Sequence, residues 1–82
     1  MERSVYHNYH MVREVIMNSV CELREKAGMT QKGLAEAADV SRQTIIAIEK
    51  GNYVPSVLLA LKIAKFFKKP VEEVFRIEKH AK

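Results

Sequence analysis

The chain is 82 residues long, 48% of them hydrophobic, and carries a formal net charge of +4. A chain of this length is one small domain that buries about 60–65% of its unfolded surface. Its single cysteine excludes an intramolecular disulfide and predicts a cytoplasmic protein. No apolar run approaches the roughly 18–20 residues of a membrane span, and the N-terminus lacks the uninterrupted apolar region of a secretory signal. The modest positive charge favours an anionic partner.

Apolar periodicity predicts two helices in the first half of the chain. The stretch VREVIMNSVCELREKAG repeats apolar residues at the spacing of one helix face; these residues are Val12, Val15, Ile16, Val20 and Leu23. Gly28 is typical of a position just beyond a helix end. Thr30 then caps a short second helix, QKGLAEAA, whose inward residues are Leu34, Ala35 and Ala38. The small alanines allow a neighbouring helix to approach closely at a sharp angle.

Three further helices are predicted in the second half. Ser41 caps a third helix that ends near Glu49, where Gly51 follows. Ser56 caps a fourth helix to about Lys68, and its predicted inward residues are Val57, Leu61, Ala64 and Phe67. Pro70 opens a short fifth helix with Val71, Val74 and Phe75 inward. Because no stretch shows the alternation of a strand, the sequence predicts an all-α domain of about five helices.

The third helix, RQTIIAIE, has an unusual first turn. Ile45 and Ile48 are spaced for burial, whereas Arg42, Gln43 and Thr44 place three hydrogen-bonding side chains together at its start. Surface helices rarely begin with side chains that each hold a flat polar edge through paired hydrogen bonds. This turn is therefore the first candidate for a surface that binds a polar partner.

The stretch TQKGLAEAADVSRQTIIAIEKG resembles the helix-turn-helix of the Cro/phage-repressor type, also called the xenobiotic-response-element family of transcriptional regulators. The resemblance extends from about Asn18 to Phe75, with ELREKAGMTQ before the motif and PS…ALKIAKFF…VEEVF after it. It implies a compact, lambda-repressor-like five-helix domain whose third helix lies in the DNA major groove while the second crosses the backbone. It also implies a homodimer that reads two half-sites of a near-palindromic double-stranded DNA operator.

The first turn of the third helix holds the residues that would read bases, because a recognition helix contacts base edges through its N-terminal part. Arg42 can donate two hydrogen bonds to guanine and Gln43 can exchange two with adenine, and each such pair contributes about 1–3 kcal/mol of discrimination. Thr44 reaches a base edge or a phosphate, and Ala47 is small enough to contact a thymine methyl. The alternative is a solvated polar turn that contacts nothing.

Phosphate contacts are expected from the residues around this turn. Gln31 stands at the N-terminus of the second helix, where backbone N–H groups also favour a phosphate. Ser41 precedes the third helix, and Lys50 and Asn52 follow it in the next loop. Such contacts position a protein on DNA without reading its sequence.

The resemblance also assigns structural residues. It pairs an arginine late in the first helix with a glutamate late in the third, here Arg24 and Glu49, and it places Ala35, Ile45 and Ile48 at close-packed or buried positions. If the pair is buried, removing one partner costs about 3–5 kcal/mol. The alternative is an exposed pair that contributes about 0–1 kcal/mol.

Two residues depart from the family pattern. The turn between the second and third helices usually carries a glycine with a left-handed backbone, whereas this chain has Asp39, which tolerates that conformation better than most residues. Gly33 lies inside the second helix, where glycine costs about 0.8–1 kcal/mol relative to alanine. Close approach to a phosphate and simple tolerance are both open interpretations of this glycine.

The sequence predicts three segments. Residues 1–16 are an N-terminal extension, residues 17–78 are the DNA-binding domain, and residues 79–82 are a C-terminal tail. In one interpretation the extension packs on the domain or on a partner subunit through an apolar face, whose candidates are Tyr6, Tyr9, Met11, Val12, Val15 and Ile16. In another, Met17 is the natural start, because codons for residues 13–16 can contain a strong bacterial ribosome-binding sequence. The intact mass of the native protein distinguishes the two.

Catalytic and metal-binding patterns are missing from the sequence. His7 and His10 are spaced three apart, but no cysteine or acid nearby completes a zinc site. Cys21 is expected to be an inert, partly buried thiol. Neither a nucleophile–base pair nor a glycine-rich phosphate loop nor a carboxylate dyad is present. We predict no metal, no cofactor and no enzymatic activity.

A dimer interface is expected at the C-terminal end. Leu58, Leu59 and Phe66 add apolar surface to the fourth helix beyond its inward stripe, and Ile77 follows the last helix. Because a contiguous exposed apolar patch usually marks a contact, we expect this surface, the fifth helix and its tail to form a two-fold interface. Half-sites would then lie about 34–36 Å apart.

The predicted function is sequence-specific DNA binding by a small cytoplasmic regulator, most simply a repressor that occupies a promoter. Regulation is expected through abundance, dimerisation or a partner protein. One alternative is the antitoxin of a toxin–antitoxin pair, which also binds DNA. Another is a protein-interaction adaptor on the same scaffold, against which the first turn of the third helix and the positive charge both speak.

Overall fold

The computed structural model describes residues 12–81, which form five helices and two strands. Strand β1 (Val12–Asn18) comes first and strand β2 (Phe75–Ala81) last. Between them lie helices α1 (Val20–Lys26), α2 (Gln31–Ala38), α3 (Arg42–Glu49), α4 (Val57–Phe66) and α5 (Val71–Val74). Within these residues, no helix is both long enough and apolar enough to cross a membrane.

The core lies between the helices. Helix α2 packs against α3 and α4, α1 contacts α3, and α5 packs against α4. The buried side chains come from all five helices and form one cluster: Val20, Leu34, Ala35, Ala38, Ile45, Ile48, Leu59, Ile63, Ala64 and Val74. The inward faces expected for α2 and α3 are therefore the faces that the structure buries.

A two-stranded sheet corrects the prediction of an all-α domain. Strands β1 and β2 pair antiparallel, with Val12 opposite Ala81 and Asn18 opposite Phe75. The prediction of one helix from Val12 to Gly28 is wrong in its first half, because β-branched residues fit a strand when a partner strand is available. The domain is predominantly helical, and residues 12–16 pair with residues 77–81. The domain boundaries at residues 16 and 78 stay a prediction.

Asn18 joins the sheet to the helices. Its side-chain oxygen accepts a hydrogen bond from the backbone N–H of Val20 at 3.0 Å, and its side-chain nitrogen donates to the carbonyl of Ile48 at 2.9 Å. The backbone N–H of Ser19 donates to the carbonyl of Val74 at 2.9 Å. These bonds place the start of α1 beside the ends of α3 and α5.

Helix α4 buries only part of the face that was predicted: Ala64 is buried and Phe67 packs against the core as expected, but the first half of the helix turns another side inward. Leu59, Ile63 and Ala64 are buried, whereas Val57 and Leu61, which were expected to face inward, are 76% and 50% exposed. The sequence VLLALKIAKF is apolar on most sides, so its periodicity alone admits more than one buried face. Packing against α2 and α5 selects the face, and Leu59 is consequently lost from the predicted dimer surface.

Truncation of one residue on each face of α4 tests this assignment. Because the side chain of Ile63 has no exposed surface, Ile63→Ala should lower the free energy of unfolding by about 2–5 kcal/mol. Leu61→Ala removes a half-exposed side chain from the same helix and should cost about 1 kcal/mol or less. Urea unfolding followed by circular dichroism measures both, and equal losses would contradict the buried face described above.

Candidate nucleic-acid interface

The turn between α2 and α3 fixes the angle at which the two helices meet. Ala35 and Ala38 of α2 are buried in the shared core. Asp39 has a left-handed backbone with φ of 61°, and its N–H donates to the carbonyls of Ala35 and Glu36. The N–H of Val40 donates to the carbonyl of Ala35 at 3.0 Å. The expectation that Asp39 takes the left-handed position of the turn is confirmed.

The first turn of α3 is fixed by an N-cap and has two exposed side chains. Ser41 caps the helix, since its hydroxyl oxygen accepts from the N–H of Thr44 at 3.1 Å, and the two hydroxyls lie 3.0 Å apart. Arg42 and Gln43 are exposed, Thr44 is half-buried, and Ile45 has no exposed surface. The cap therefore engages Ser41 and Thr44 with each other and leaves Arg42 and Gln43 as the side chains most available to a partner.

The remaining candidate contacts lie at the opposite end of α3. Ala47 is half-buried, and Lys50 and Asn52 are exposed in the following loop. The backbone N–H of Asn52 donates to the carbonyl of Ala47 at 2.9 Å, and Gly51 has a φ of 78°, a conformation that favours glycine. Since eight helical residues span about 12 Å, Lys50 and Asn52 lie roughly that far along the axis from the first turn, whereas Ala47 lies only about one turn beyond Gln43.

Gln31 links Arg42, in the first turn of α3, to Glu49 at the end of the same helix. Its side-chain nitrogen donates to Oε1 of Glu49 at 3.1 Å, and its side-chain oxygen accepts a long hydrogen bond from Arg42 at 3.4 Å. Glu49 can only accept, so it fixes which end of the amide points towards Arg42. The sequence assigned Gln31 to a phosphate but did not reveal this link, which depends on how α3 crosses α2.

A largely buried ion pair connects α1 to the end of α3. Nε of Arg24 lies 2.7 Å from Oε2 of Glu49, and the two side chains are only 12% and 6% exposed. A second guanidinium nitrogen donates to Oε1 of Glu49 at 3.2 Å, and the third donates to the carbonyl of Met29 at 2.8 Å. The expected pairing is present with two parallel hydrogen bonds, and the pair is partly buried rather than exposed.

The pair also sets the charge states around it. Burial raises the pKa of Glu49, but hydrogen bonds from Arg24 and Gln31 and the positive charge of Arg24 outweigh it, so this pKa lies below its ordinary value of 4.5. Burial, followed by the charges of Glu49 and Glu25, raises the pKa of Cys21 above 9.0. The Cys21 thiol is therefore protonated at neutral pH, as expected for an unreactive cysteine.

Gly33 sits beside the cap of α2. The hydroxyl of Thr30 accepts from the N–H of Gly33 at 2.9 Å, and a Cβ at Gly33 would lie 3.3 Å from the same oxygen. This contact is tighter than ordinary van der Waals spacing, so a larger residue would have to displace the capping hydroxyl slightly. Local crowding is thus a reason for glycine that neither sequence interpretation included.

The described part of the chain, residues 12–81, contains no group of three or more His, Cys, Asp or Glu residues arranged to hold a metal ion. His7 and His10 lie outside the described residues, and so do Tyr6, Tyr9 and Met11 of the predicted apolar extension.

Comparison with known proteins places this site in the part of the chain that others share. A helix-turn-helix family model matches residues 22–74. The uncharacterized HTH-type transcriptional regulator YgzD of Bacillus subtilis (strain 168) is 56% identical over 61 residues, which are 74% of this chain and 92% of YgzD. An uncharacterized HTH-type transcriptional regulator of Methanocaldococcus jannaschii is 52% identical over 61 residues, with the same two coverages of 74% and 92%. The crystal structure of the restriction-modification controller protein C.AhdI from Aeromonas hydrophila is similar with a TM-score of 0.62 and 28% identity, over 66% of this chain and 82% of that one.

Replacing Glu49 by glutamine tests the buried pair. Because Glu49→Gln leaves the guanidinium of Arg24 buried without a counter-charge, it should lower the free energy of unfolding by about 3–5 kcal/mol. Glu36→Gln makes the same chemical change at an exposed position of α2 and should stay within about 0.5 kcal/mol of the wild type. Urea unfolding at neutral pH compares the two, and similar small losses would show that the pair contributes little.

The pH dependence of stability follows from the direction of the Glu49 shift. The pKa is lower in the folded state, so the unfolded chain binds the proton more tightly. The stability due to this carboxylate is therefore complete above about pH 4.5 and is lost as the pH falls through the folded pKa. In urea titrations between neutral and acidic pH, the difference between wild type and Glu49→Gln should narrow on acidification. A constant difference would contradict the lowered pKa.

Proposed function

We propose that this chain, which belongs to the helix-turn-helix family of transcriptional regulators of the Cro/phage-repressor type, binds a specific double-stranded DNA operator with α3 in the major groove. DNA-binding transcription regulation is the function class of the family. The observation that carries the proposal is the first turn of α3, where Arg42 and Gln43 are exposed while Ile45, later in the same helix, is buried.

Base reading is assigned to that turn. A guanidinium can donate two hydrogen bonds to guanine and an amide can exchange two with adenine, and both bases display these groups in the major groove. Arg42 and Gln43 supply the two side chains, and Ala47 supplies a methyl-sized contact for thymine one turn further along. Thr44 takes a smaller part than the sequence implied, because its hydroxyl already lies 3.0 Å from that of Ser41.

Gln31 is assigned two roles. At the N-terminus of α2 it can donate to a phosphate, as the family resemblance implies. Its side-chain oxygen also lies 3.4 Å from a guanidinium nitrogen of Arg42, which directs that side chain before DNA is bound. Ser41, Lys50 and Asn52 complete the proposed phosphate contacts around α3, and these contacts orient the protein without selecting a sequence.

A homodimer is the proposed binding form. Three of the residues expected in the interface expose apolar surface, Leu58 by 68%, Phe66 by 42% and Ile77 by 64%, while Leu59 belongs to the core. Two copies related by a two-fold axis match the symmetry of a near-palindromic operator. Occupation of a promoter by such a dimer in the cytoplasm would repress transcription without any enzymatic step.

The double variant Arg42→Ala/Gln43→Ala tests base reading. Fluorescence anisotropy against a duplex from upstream of the protein's own gene, with a scrambled duplex as competitor, measures specificity across a salt series. The wild type should prefer the operator by about 10³-fold or more. Removing both exposed side chains should reduce this preference to near unity, because two good base contacts contribute about 1–3 kcal/mol each, while folding stability is unchanged.

Lys50→Ala is the matched control for phosphate attraction. It should weaken binding to both duplexes equally and lower the slope of log affinity against log salt by about one. A double variant that keeps the operator preference would refute the assigned base-reading residues. Equal, steeply salt-dependent binding of the wild type to both duplexes would mean phosphate attraction alone, and no binding at low salt would favour the adaptor function.

A further inference from the structure

The outer edge of β2 can pair with the same edge of a second copy of the chain. Among the described residues the sheet contains only β1 and β2, so the outer edge of each strand is unpaired there. We propose that β2 pairs antiparallel with β2 of a second copy, about a two-fold axis at Ile77, to form a sheet of strand order β1–β2–β2–β1. This interface rests on the dimer of the proposed function and specifies its contact.

Strand β2 leaves the core as it proceeds. Val74, just before it, has no exposed surface, and Phe75, at its start, packs against the core. Ile77 is already 64% exposed, and the side chains of Arg76 and Glu78 are 44% and 45% exposed. A two-stranded ribbon is marginally stable in water, and additional strands that cover its apolar residues stabilise it.

The charges of β2 select one two-fold register. With the axis at Ile77, Arg76 lies opposite Glu78 of the second copy and Glu78 lies opposite Arg76 of the second copy, which gives two attractive pairs. With the axis at Arg76, Glu78 or Lys79 instead, two identical charges lie directly opposite each other, and such pairs are destabilising. Within one chain Nε of Arg76 lies 3.7 Å from Oε2 of Glu78, so both side chains already lie on the same face of the strand.

The apolar residues of the sheet agree with this register. Ile16 lies opposite Ile77 within one chain, and residues opposite each other share a face of the sheet. Pairing at Ile77 places Ile77 of the second copy beside Ile77, and Ile16 of the second copy beside that residue. The result is a row of four isoleucines across the four strands. On the other face, Met17 lies opposite Arg76 and Val15 opposite Glu78, so the aliphatic residues of β1 flank the charge pairs.

The outer edge of β1 offers no comparable match. Its two charged residues, Arg13 and Glu14, are adjacent in the sequence, whereas a two-fold axis through a strand residue pairs positions separated by an even number of residues. No such register can therefore place them opposite each other. The choice of β2 also places the axis in the tail that follows α5, where the exposed Ile77 was expected to contribute to the dimer.

Charge reversal in the full-length chain tests the register. Arg76→Glu makes both opposed pairs across the axis repulsive, and Glu78→Arg does the same with the opposite sign, so multi-angle light scattering should show each variant dimerising at least about tenfold more weakly than the wild type. An equimolar mixture of the two variants restores both attractive pairs across the axis and should dimerise like the wild type. The repulsion within each chain persists in the mixture, so recovery there reports the contact between chains. A monomeric wild type, variants that dimerise normally, or a mixture that stays monomeric would each overturn the interface.

Ile77→Cys gives a second measurement that does not depend on charge. Residues opposite each other in antiparallel strands have Cα atoms about 4.5–5.5 Å apart, within the roughly 4.4–6.8 Å that a disulfide spans. Mild oxidation should therefore give covalent dimers. Lys79→Cys is the matched control, because its symmetry copy would lie about 14 Å away, and Cys21 is present in both proteins. Absence of cross-linking at position 77, or equal cross-linking at position 79, would overturn the register.

DNA binding distinguishes failure of this interface from failure of the proposed function. If the wild type binds its operator specifically, but the charge variants dimerise normally or position 77 does not cross-link, the proposed interface is wrong while the proposed DNA-binding function is supported. If the charge variants and the Ile77→Cys cross-link behave as predicted but no duplex is bound specifically, the interface is supported and the DNA-binding proposal fails.

Discussion

The buried ion pair between Arg24 and Glu49 is the contact on which the geometry of the site depends. Desolvating two charges is costly, and the cost is recovered only when the geometry and the remaining hydrogen bonds are good. Here the guanidinium satisfies both carboxylate oxygens and the carbonyl of Met29. Because Glu49 is the last residue of α3, the pair fixes the far end of this helix against α1, while the Ser41 cap fixes the near end.

The helix-turn-helix was predictable because its signals are local. The side chains of Thr30 and Ser41 each accept from a backbone N–H three residues on, which is the contact that an N-cap predicts. The left-handed backbone at Asp39 is implied by the family resemblance, which places a left-handed glycine at this position, and aspartate tolerates that conformation. Between these markers, the spacing of Ile45 and Ile48 predicts the buried face of α3, and the polar residues of its first turn lie outside that face.

The sheet and the buried face of α4 depend on contacts that are distant in the sequence. Ile16 and Ile77 are opposite partners although nearly the whole helical domain separates them, and an apolar run such as VREVI fits a helix face equally well until that partner is known. Helix α4 presents apolar residues on most of its circumference, so only packing against its neighbours shows that Ile63 is buried and Leu61 is not. The bond between Gln31 and Arg42 also could not be predicted from the sequence, because it depends on the angle at which α2 and α3 cross.

The hydrogen-bond chain from Glu49 through Gln31 to Arg42 links stability to recognition. A free arginine loses about 1.5–2 kcal/mol of side-chain conformational entropy when it is fixed. The bond from Arg42 to Gln31, although long at 3.4 Å, restricts the Arg42 side chain in the free protein. Gln31 is itself held by the carboxylate of Glu49, which Arg24 of α1 neutralises. Preorganisation of this kind lowers the cost of binding without adding a contact to DNA. The same contacts that keep α3 in place therefore also orient the residue proposed to read guanine, so a change at Glu49 should reach the proposed DNA-binding surface through Gln31.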